Sequence, residues 1–345
     1  MGLKKTTRIV EVDPEKFSML ELSEAVGLLR EGKVVAFPTE TVYGLGANAL
    51  DESAVKKIYL AKGRPSDNPS IVHVCNEEQL KEVVQSVSPK ARALIKKFWP
   101  GPLTLVLKKS PKISSAATGG LDTVAVRMPS HKVALALIKE CGFPIAAPSA
   151  NSSGSPSPTI ADHVYSDLFG RIPLIIDGGK CEVGVESTVI SFVDASGNPS
   201  LIPTLLRPGK VSVEEIEEVI GKINVPALDS KTMHTQKPLS PGMKYKHYSP
   251  KAEVVLVLPG ENFVKKVFEL GGRKDIGVLS FTKRVGVDRE LFFDGNVEGY
   301  ARALFEAFRA LDDKGVELII AEGVSEKGMG LALMDRLKRA SSKII

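Results

Sequence analysis

The chain has 345 residues, 43% of them hydrophobic and 25% charged, with a formal net charge of +5. That is an ordinary globular composition, long enough for two domains that each bury a core, and the charge is too small to argue nucleic-acid binding by itself. No apolar run is long enough to span a bilayer, and "MGLKKTTRIV" lacks the apolar stretch of a signal peptide, so the expected address is the cytoplasm with no membrane partner.

Residues 15–31 read as an amphipathic helix that ends at Gly32. "VVAFPT" and "VYGLGANA" follow as β-branched and aromatic runs separated by a polar turn. A helix over "ESAVKKIYLAK" leads into the strand "SIVHVC". Helices over 77–84 and 89–98 come next, then the strands "LTLVLKK" and "DTVAVRMP". After the helix "HKVALALIKECG" come the strands "PIAAPSA", "IPLIIDGG", "STVISFV" and "LIPTLLRP", with one helix near 159–169 among them. Strands that follow one another without helices imply a mixed, partly antiparallel sheet, so the fold class is α/β.

The helix "VSVEEIEEVIG" opens with Ser212 three residues ahead of Glu215, a capping box, and closes a first domain of residues 1–222. Residues 223–250 are proline-rich and aperiodic, which predicts a linker or an active-site lid. Beyond them, residues 251–345 alternate strand and helix as a small Rossmann-like βαβ domain.

Known fingerprints are scarce. Gly44, Gly46 and Ala49 in "GLGANA" match G-x-G-x-x-A, but Pro38 to Thr41 interrupt the strand ahead of them and the region some twenty residues on is the Lys62 stretch. Tight sheet packing explains those glycines better than a dinucleotide does. There is no Walker A loop and no H-E-x-x-H, and Cys75, Cys141 and Cys181 lie far apart without C-x-x-C spacing, so a protein-caged metal and a disulfide framework are both unexpected. Ser149 lacks the G-x-S-x-G elbow of a nucleophilic serine.

What remains is a set of donor-rich loops at strand ends: Thr39 and Thr41 in "PTETVYG", Arg127 in "TVAVRMP", Ser149, Asn151 and Thr159 in "APSANSSGSPSPT", Ser187 in "GVESTV" and Arg207 in "LLRPG". In "KGRPSDNP", Pro65 and Pro69 forbid a helix and Gly63 lets the backbone approach something closely, so Lys62 and Arg64 read as two fixed cations on a turn, facing an anion. Blander readings stand beside these. Lys62 or Arg64 alone is more often a solvated charge, Asn151 could merely start a flexible Ser/Pro loop, and His73, between Val72 and Val74, could be a half-buried strand histidine. Arg127 alternates with the valines of its strand and needs a carboxylate, a phosphate or water on its own face.

Together "FPTETVYGLG", "AKGRP", "NPSIVHV", "FWPGPLTLVL", "VAVRMP", "PSANSSGSPSPT", "GVESTV", "LLRPG" and the linker "SPGMKYKHYSP" resemble the threonylcarbamoyl-AMP synthase family in its long form, a YrdC-like domain with a C-terminal domain. The resemblance spans nearly the whole chain. It implies a YrdC-like twisted mixed sheet and a catalytic tetrad at Lys62, Arg64, Ser149 and Asn151. It also implies L-threonine among Thr41, His73, Arg127, Ser149 and Ser187, with Arg127 on the α-carboxylate. For ATP it implies Lys62, Arg64, Asn68, Thr123, Asn151, Thr159 and Arg207, joined by Tyr245, His247 and Tyr248 of the linker. Magnesium would ride on the triphosphate, with Glu186 the candidate protein ligand.

The implied reaction joins L-threonine, bicarbonate and ATP into threonylcarbamoyl-AMP and pyrophosphate, for a downstream threonylcarbamoyl-transferase complex that modifies tRNA. The C-terminal domain shows no catalytic motif and reads as a docking or regulatory module. Two alternatives stay open: a double-stranded RNA or tRNA-binding protein without catalysis that uses the Lys/Arg loops for phosphates, and an adenylating enzyme for another acid.

Overall fold

The chain lays down a ten-stranded sheet before it builds a second, five-stranded one. The structure, a computed structural model, describes residues 6–194, 196–226, 248–272 and 275–345. The first lobe comprises β1 (Arg8–Glu11), α1 (Met19–Arg30), β2 (Val35–Phe37), β3 (Gly44–Asn48), α2 (Glu52–Lys62), β4 (Ile71–His73), α3 (Glu77–Val83), α4 (Pro89–Phe98), β5 (Leu103–Lys108), β6 (Thr123–Arg127), α5 (Lys132–Cys141), β7 (Ile145–Ala147), α6 (Ala161–Leu168), β8 (Leu174–Asp177), β9 (Thr188–Val193), β10 (Pro199–Arg207) and α7 (Val213–Ile220). The second comprises β11 (Glu253–Val257), α8 (Phe263–Gly271), β12 (Ile276–Ser280), β13 (Glu290–Phe292), α9 (Val297–Asp313), β14 (Leu318–Glu322), α10 (Met329–Ala340) and β15 (Lys343–Ile344).

The large sheet runs β1-β8-β2-β3-β7-β4-β6-β5-β9-β10. It is mixed, as the run of strands without helices predicts: β1 with β8, β8 with β2, β4 with β6 and β5 with β9 are parallel, and the other neighbours are antiparallel. Strand alternation distributes its side chains to two faces. Val35 and Phe37 of β2 pack with α1 and α5, while Ala36 joins Leu45, Ala54, Ile58 and Val164 on the face covered by α2 and α6. Gly46 sits where a Cβ would lie 2.7 Å from the Phe37 ring and 2.8 Å from Ile145 Cγ2. Its job is therefore close packing within the sheet, and no dinucleotide loop forms there.

The small sheet, β13-β12-β14-β11-β15, is parallel throughout. Val254 and Leu256 of β11 face a core shared with α9 and α10, and Val255 and Val257 face α8, so both sides are covered as a parallel sheet requires. Among the described residues no helix is long and apolar enough to cross a membrane. The sequence pattern misses β1, β13 and β15, strands of two to four residues at or next to sheet edges.

One local expectation is corrected. Lys62 does not stand on a turn; it is the last residue of α2. Gly63 has φ +62°, the left-handed cap that ends the helix, and nothing lies within 4 Å of where its Cβ would be. Helix termination is what calls for glycine there.

Candidate active site

Strands β3, β4, β6, β7 and β9 end around one cavity that opens to solvent. Lys62, Arg64, Ser149, Asn151 and Arg207 line it, as do Thr41, His73, Arg127, Ser187, Glu186 and Tyr248. Asn68, Thr123 and Thr159 are buried but do not line it. Tyr245 and His247 lie outside the described residues, and so does most of the expected lid.

Lys62 is only 2% exposed. Its ammonium donates to the carbonyl of Ser149, to the carbonyl of Asn151 at 2.5 Å and to Asn151 Oδ1 at 3.3 Å. Burial, with Arg64 close by, holds its pKa well below the usual lysine range. Ser149 Oγ donates to Asn151 Oδ1 at 2.5 Å, so this serine is tied to an amide and not to a histidine base. Arg64 donates to the carbonyls of Asn68 and Pro69, and burial brings its pKa down to about 10. Arg207 binds Ser187 twice, Nε to the carbonyl and Nη2 to Oγ, each at 3.1 Å. Ser187 Oγ also meets Thr104 Oγ1 at 2.7 Å.

Lys62, Arg64 and Arg207 are buried basic side chains lining a pocket. They cannot lie along a duplex backbone, which removes the physical basis of the RNA-binding alternative.

A second cluster surrounds Arg127, which the β4–β6 register sets beside His73. Its Nη1 donates to Thr41 Oγ1 at 2.8 Å, its Nε to the Gly101 carbonyl at 3.1 Å, and its Nη2 pairs with Glu40 at 2.6 Å. Thr39 Oγ1 accepts the Thr41 and Val42 amides and fixes this turn. His73 is fully enclosed rather than half-buried, with its ring edge-on to Phe37, and its Nδ1 finds no protein partner. Burial, reinforced by Arg127, lowers its pKa to about 3, so the imidazole is neutral at physiological pH.

Glu186 departs from the expectation of a metal ligand. One carboxylate oxygen accepts from Ser157 Oγ, and the other pairs at 2.8 Å with Arg336 of α10. Burial opposes its charge, but Arg336 and Arg207 outweigh burial and hold the carboxyl below its ordinary range. A carboxylate already neutralised by a guanidinium is a poor magnesium ligand. Tyr248 closes the wall with φ +66°, its ring stacked on Phe305 at 5.3 Å and beneath the Arg336 guanidinium at 5.4 Å. The C-terminal lobe thus backs two residues of the pocket wall, Glu186 and Tyr248.

Glu40, Thr104, Ser157 and Arg336 are the functional neighbours that sequence reasoning missed. Glu40 was in plain view, between Thr39 and Thr41, as the nearest carboxylate in sequence to a buried-arginine site. Arg336 carried no local signal, because its partner is 150 residues away.

A family model described as telomere recombination, covering the Sua5, YciO and YrdC group, matches residues 27–209, and one described as the C-terminal domain of threonylcarbamoyl-AMP synthase matches residues 211–342. The threonylcarbamoyl-AMP synthase of Pyrococcus abyssi is 52% identical over 334 residues, covering 95% of this chain and 96% of its own. That of Bacillus subtilis is 48% identical over 330 residues, covering 93% of each. The crystal structure of P. abyssi Sua5 complexed with L-threonine matches with a TM-score of 0.89 at 49% identity, covering 98% of this chain and 99% of that one. The chain belongs to the threonylcarbamoyl-AMP synthase family, in the form that carries the C-terminal domain.

Proposed function

We propose that the chain is an L-threonylcarbamoyladenylate synthase, a nucleotidyltransferase that makes threonylcarbamoyl-AMP and pyrophosphate from L-threonine, bicarbonate and ATP. The product would serve a downstream threonylcarbamoyl-transferase acting on tRNA. One observation carries the reading: a single pocket joins an arginine framed by hydroxyl and imidazole groups to a separate set of three buried basic side chains.

The Arg127 guanidinium has five N–H donors; Nε and Nη1 bond Gly101 and Thr41 and Nη2 is ion-paired with Glu40, so donors on its terminal nitrogens would serve a bidentate α-carboxylate. Neutral His73, with Thr41 and Ser187, offers donors and acceptors to the threonine hydroxyl and amine. The amine adds to the bicarbonate carbon with loss of water. An oxygen of the resulting N-carboxythreonine then bonds to the α-phosphorus of ATP as the bond to pyrophosphate breaks. Such a transfer asks the protein mainly for positioning and charge neutralisation, which Lys62, Arg64 and Arg207 supply while Ser149 and Asn151 orient Lys62.

The described residues contain no group of three or more histidine, cysteine or acidic side chains able to hold a metal, and Glu40 and Glu186 both face arginines. They do not fit a protein-caged magnesium. In this reading magnesium arrives with ATP as part of the substrate, and no step is assigned to it.

The test is pyrophosphate release by purified protein with magnesium and ATP, with and without L-threonine and bicarbonate. Release that requires both and is lost in Arg64→Ala is the expected result. Nucleotide binding without release would point to another acid substrate.

A further inference from the structure

The loop from Asn151 to Ser157 forms one wall of the cavity, and its inner side is held by the catalytic lobe. Ser153 N donates to the Lys62 carbonyl at 2.9 Å, and Asn151 Nδ2 donates to the carbonyls of Ser152 and Ser155. Its outer side is held largely from elsewhere.

Helix α9 of the C-terminal lobe turns one face to this loop. Arg302, Phe305, Glu306 and Arg309 are spaced i, i+3, i+4 and i+7, and all four meet the catalytic lobe or Tyr248. The Arg302 backbone lies against Gly184, where a Cβ would be 2.4 Å from the Arg302 carbonyl oxygen. Glu306 pairs with Lys180, and Phe305 stacks on Tyr248. Arg309 makes a two-pronged pair with Asp167, at 3.0 and 2.8 Å, and donates to the Pro156 carbonyl at 2.5 Å. Asp167 in turn accepts the Ser152 amide at 3.0 Å, and its carbonyl accepts Ser152 Oγ at 3.1 Å.

At the other end of the loop, Ser157 Oγ donates to Glu186, whose second oxygen is held by Arg336. Arg336 is completely buried and also donates to the Pro208 carbonyl at 3.1 Å, next to Arg207. Ser249 N, just before the small sheet begins, donates to the Gly154 carbonyl at 3.1 Å.

We propose that Arg309 and Arg336 are positioning residues that pin the two ends of the Asn151–Ser157 loop, so that the nucleotide end of the site is assembled by the docked C-terminal lobe. This rests on the synthase reading above and gives the C-terminal lobe a specific task in it. The threonine end depends on strands β4 and β6, the Thr39–Thr41 turn and Ser187; Arg309 touches none of these, and Arg336 reaches only the Glu186 carbonyl beside Ser187. The two ends of the site should therefore respond differently when the clamp is cut.

The experiment compares the full-length wild type with Arg309→Ala, Arg309→Lys and Asp167→Asn. Arg336→Met is paired with Glu186→Gln, so that Glu186 is not stranded as a buried charge, while Asp335, the other carboxylate on Arg336, keeps Arg339. Calorimetry measures L-threonine alone and a non-hydrolysable ATP analogue, and steady-state kinetics give each substrate's KM. The clamp predicts that nucleotide affinity falls about tenfold or more in Arg309→Ala while L-threonine affinity is unchanged, since a loop displaced by a fraction of an ångström disturbs only what it lines. Arg309→Lys should fall between the two, because an ammonium cannot serve both carboxylate oxygens and the carbonyl in one plane. Equal weakening of both ligands, tracking a lowered Tm, would reduce these arginines to general stabilisers and overturn the inference. Unchanged nucleotide binding in every variant overturns it too, with the synthase reading intact. A wild type that binds no nucleotide overturns both.

Discussion

Arg127 and Glu40 form an ion pair at 2.6 Å, with side-chain exposures of 3% and 5%. The cation expected to receive a substrate carboxylate is thus already paired with one of the protein's own. Burial opposes ionisation of Glu40, but Arg127 outweighs it and holds the carboxyl below its ordinary value of 4.5. Glu40→Gln strands a buried guanidinium and should cost about 3–5 kcal/mol. Because the folded pKa lies below the unfolded one, the wild-type advantage is complete at neutral pH and fades as pH drops below about 4.5 through the folded value. Thermal unfolding of both proteins from pH 7 to pH 3 should show the gap in Tm closing at the acid end; a constant gap would contradict the assignment.

Lys62 predicts a proton linkage. With the pocket empty, burial favours the neutral amine; a triphosphate favours the ammonium and raises the pKa again. Nucleotide binding should therefore take up a proton, and affinity should fall as pH rises between the free and bound pKa values. Titration calorimetry in buffers of different ionisation enthalpy reads the uptake directly. Lys62→Met should abolish it along with most of the affinity, and buffer-independent heats in the wild type would show that Lys62 is already charged.

Substrate choice follows from the Thr41, His73 and Ser187 groups. A site built to hydrogen-bond a side-chain hydroxyl leaves those groups unpaired with valine, so kcat/KM should favour threonine over valine by about 10⁴-fold. Serine lacks only a methyl and should be disfavoured by roughly ten- to a hundredfold. Since burial lowers the His73 pKa to about 3, the threonine pH profile should show no inflection near 6 to 7 from this residue. Comparable turnover of valine, or such an inflection that vanishes in His73→Asn, would exclude the assigned roles.

Much of this was legible in the primary structure. The α2 helix matches its predicted span Glu52–Lys62, and the Ser212–Glu215 capping box forms as expected. Both rest on interactions within a few residues, which periodicity and cap chemistry report directly. Among site residues, the strand ends and loops bring Arg127, Ser149 and Arg207 into one pocket with Lys62 at the end of α2, because a rigid sheet fixes where its strand ends converge. Asn68, Thr123 and Thr159 are buried nearby without lining the pocket, since residues a turn or a strand length away need not border the same space. The partners of Glu186 and Asp167 were out of reach. Arg336 and Arg309 meet them only because two lobes dock, and docking leaves no trace in local spacing.

The contact of Gly184 with Arg302 bears on how such a chain can vary over time. Side-chain contacts between lobes can be renegotiated by paired substitutions, large for small or acid for base. Here main chain rests on main chain, and no exchange on α9 can make room for a methyl group on the opposite side. The catalytic lobe therefore accepts a C-terminal partner only if that partner brings its helix along the same path. Chimeras assembled from two relatives should exchange the segment around Gly184 together with α9, as one inherited unit.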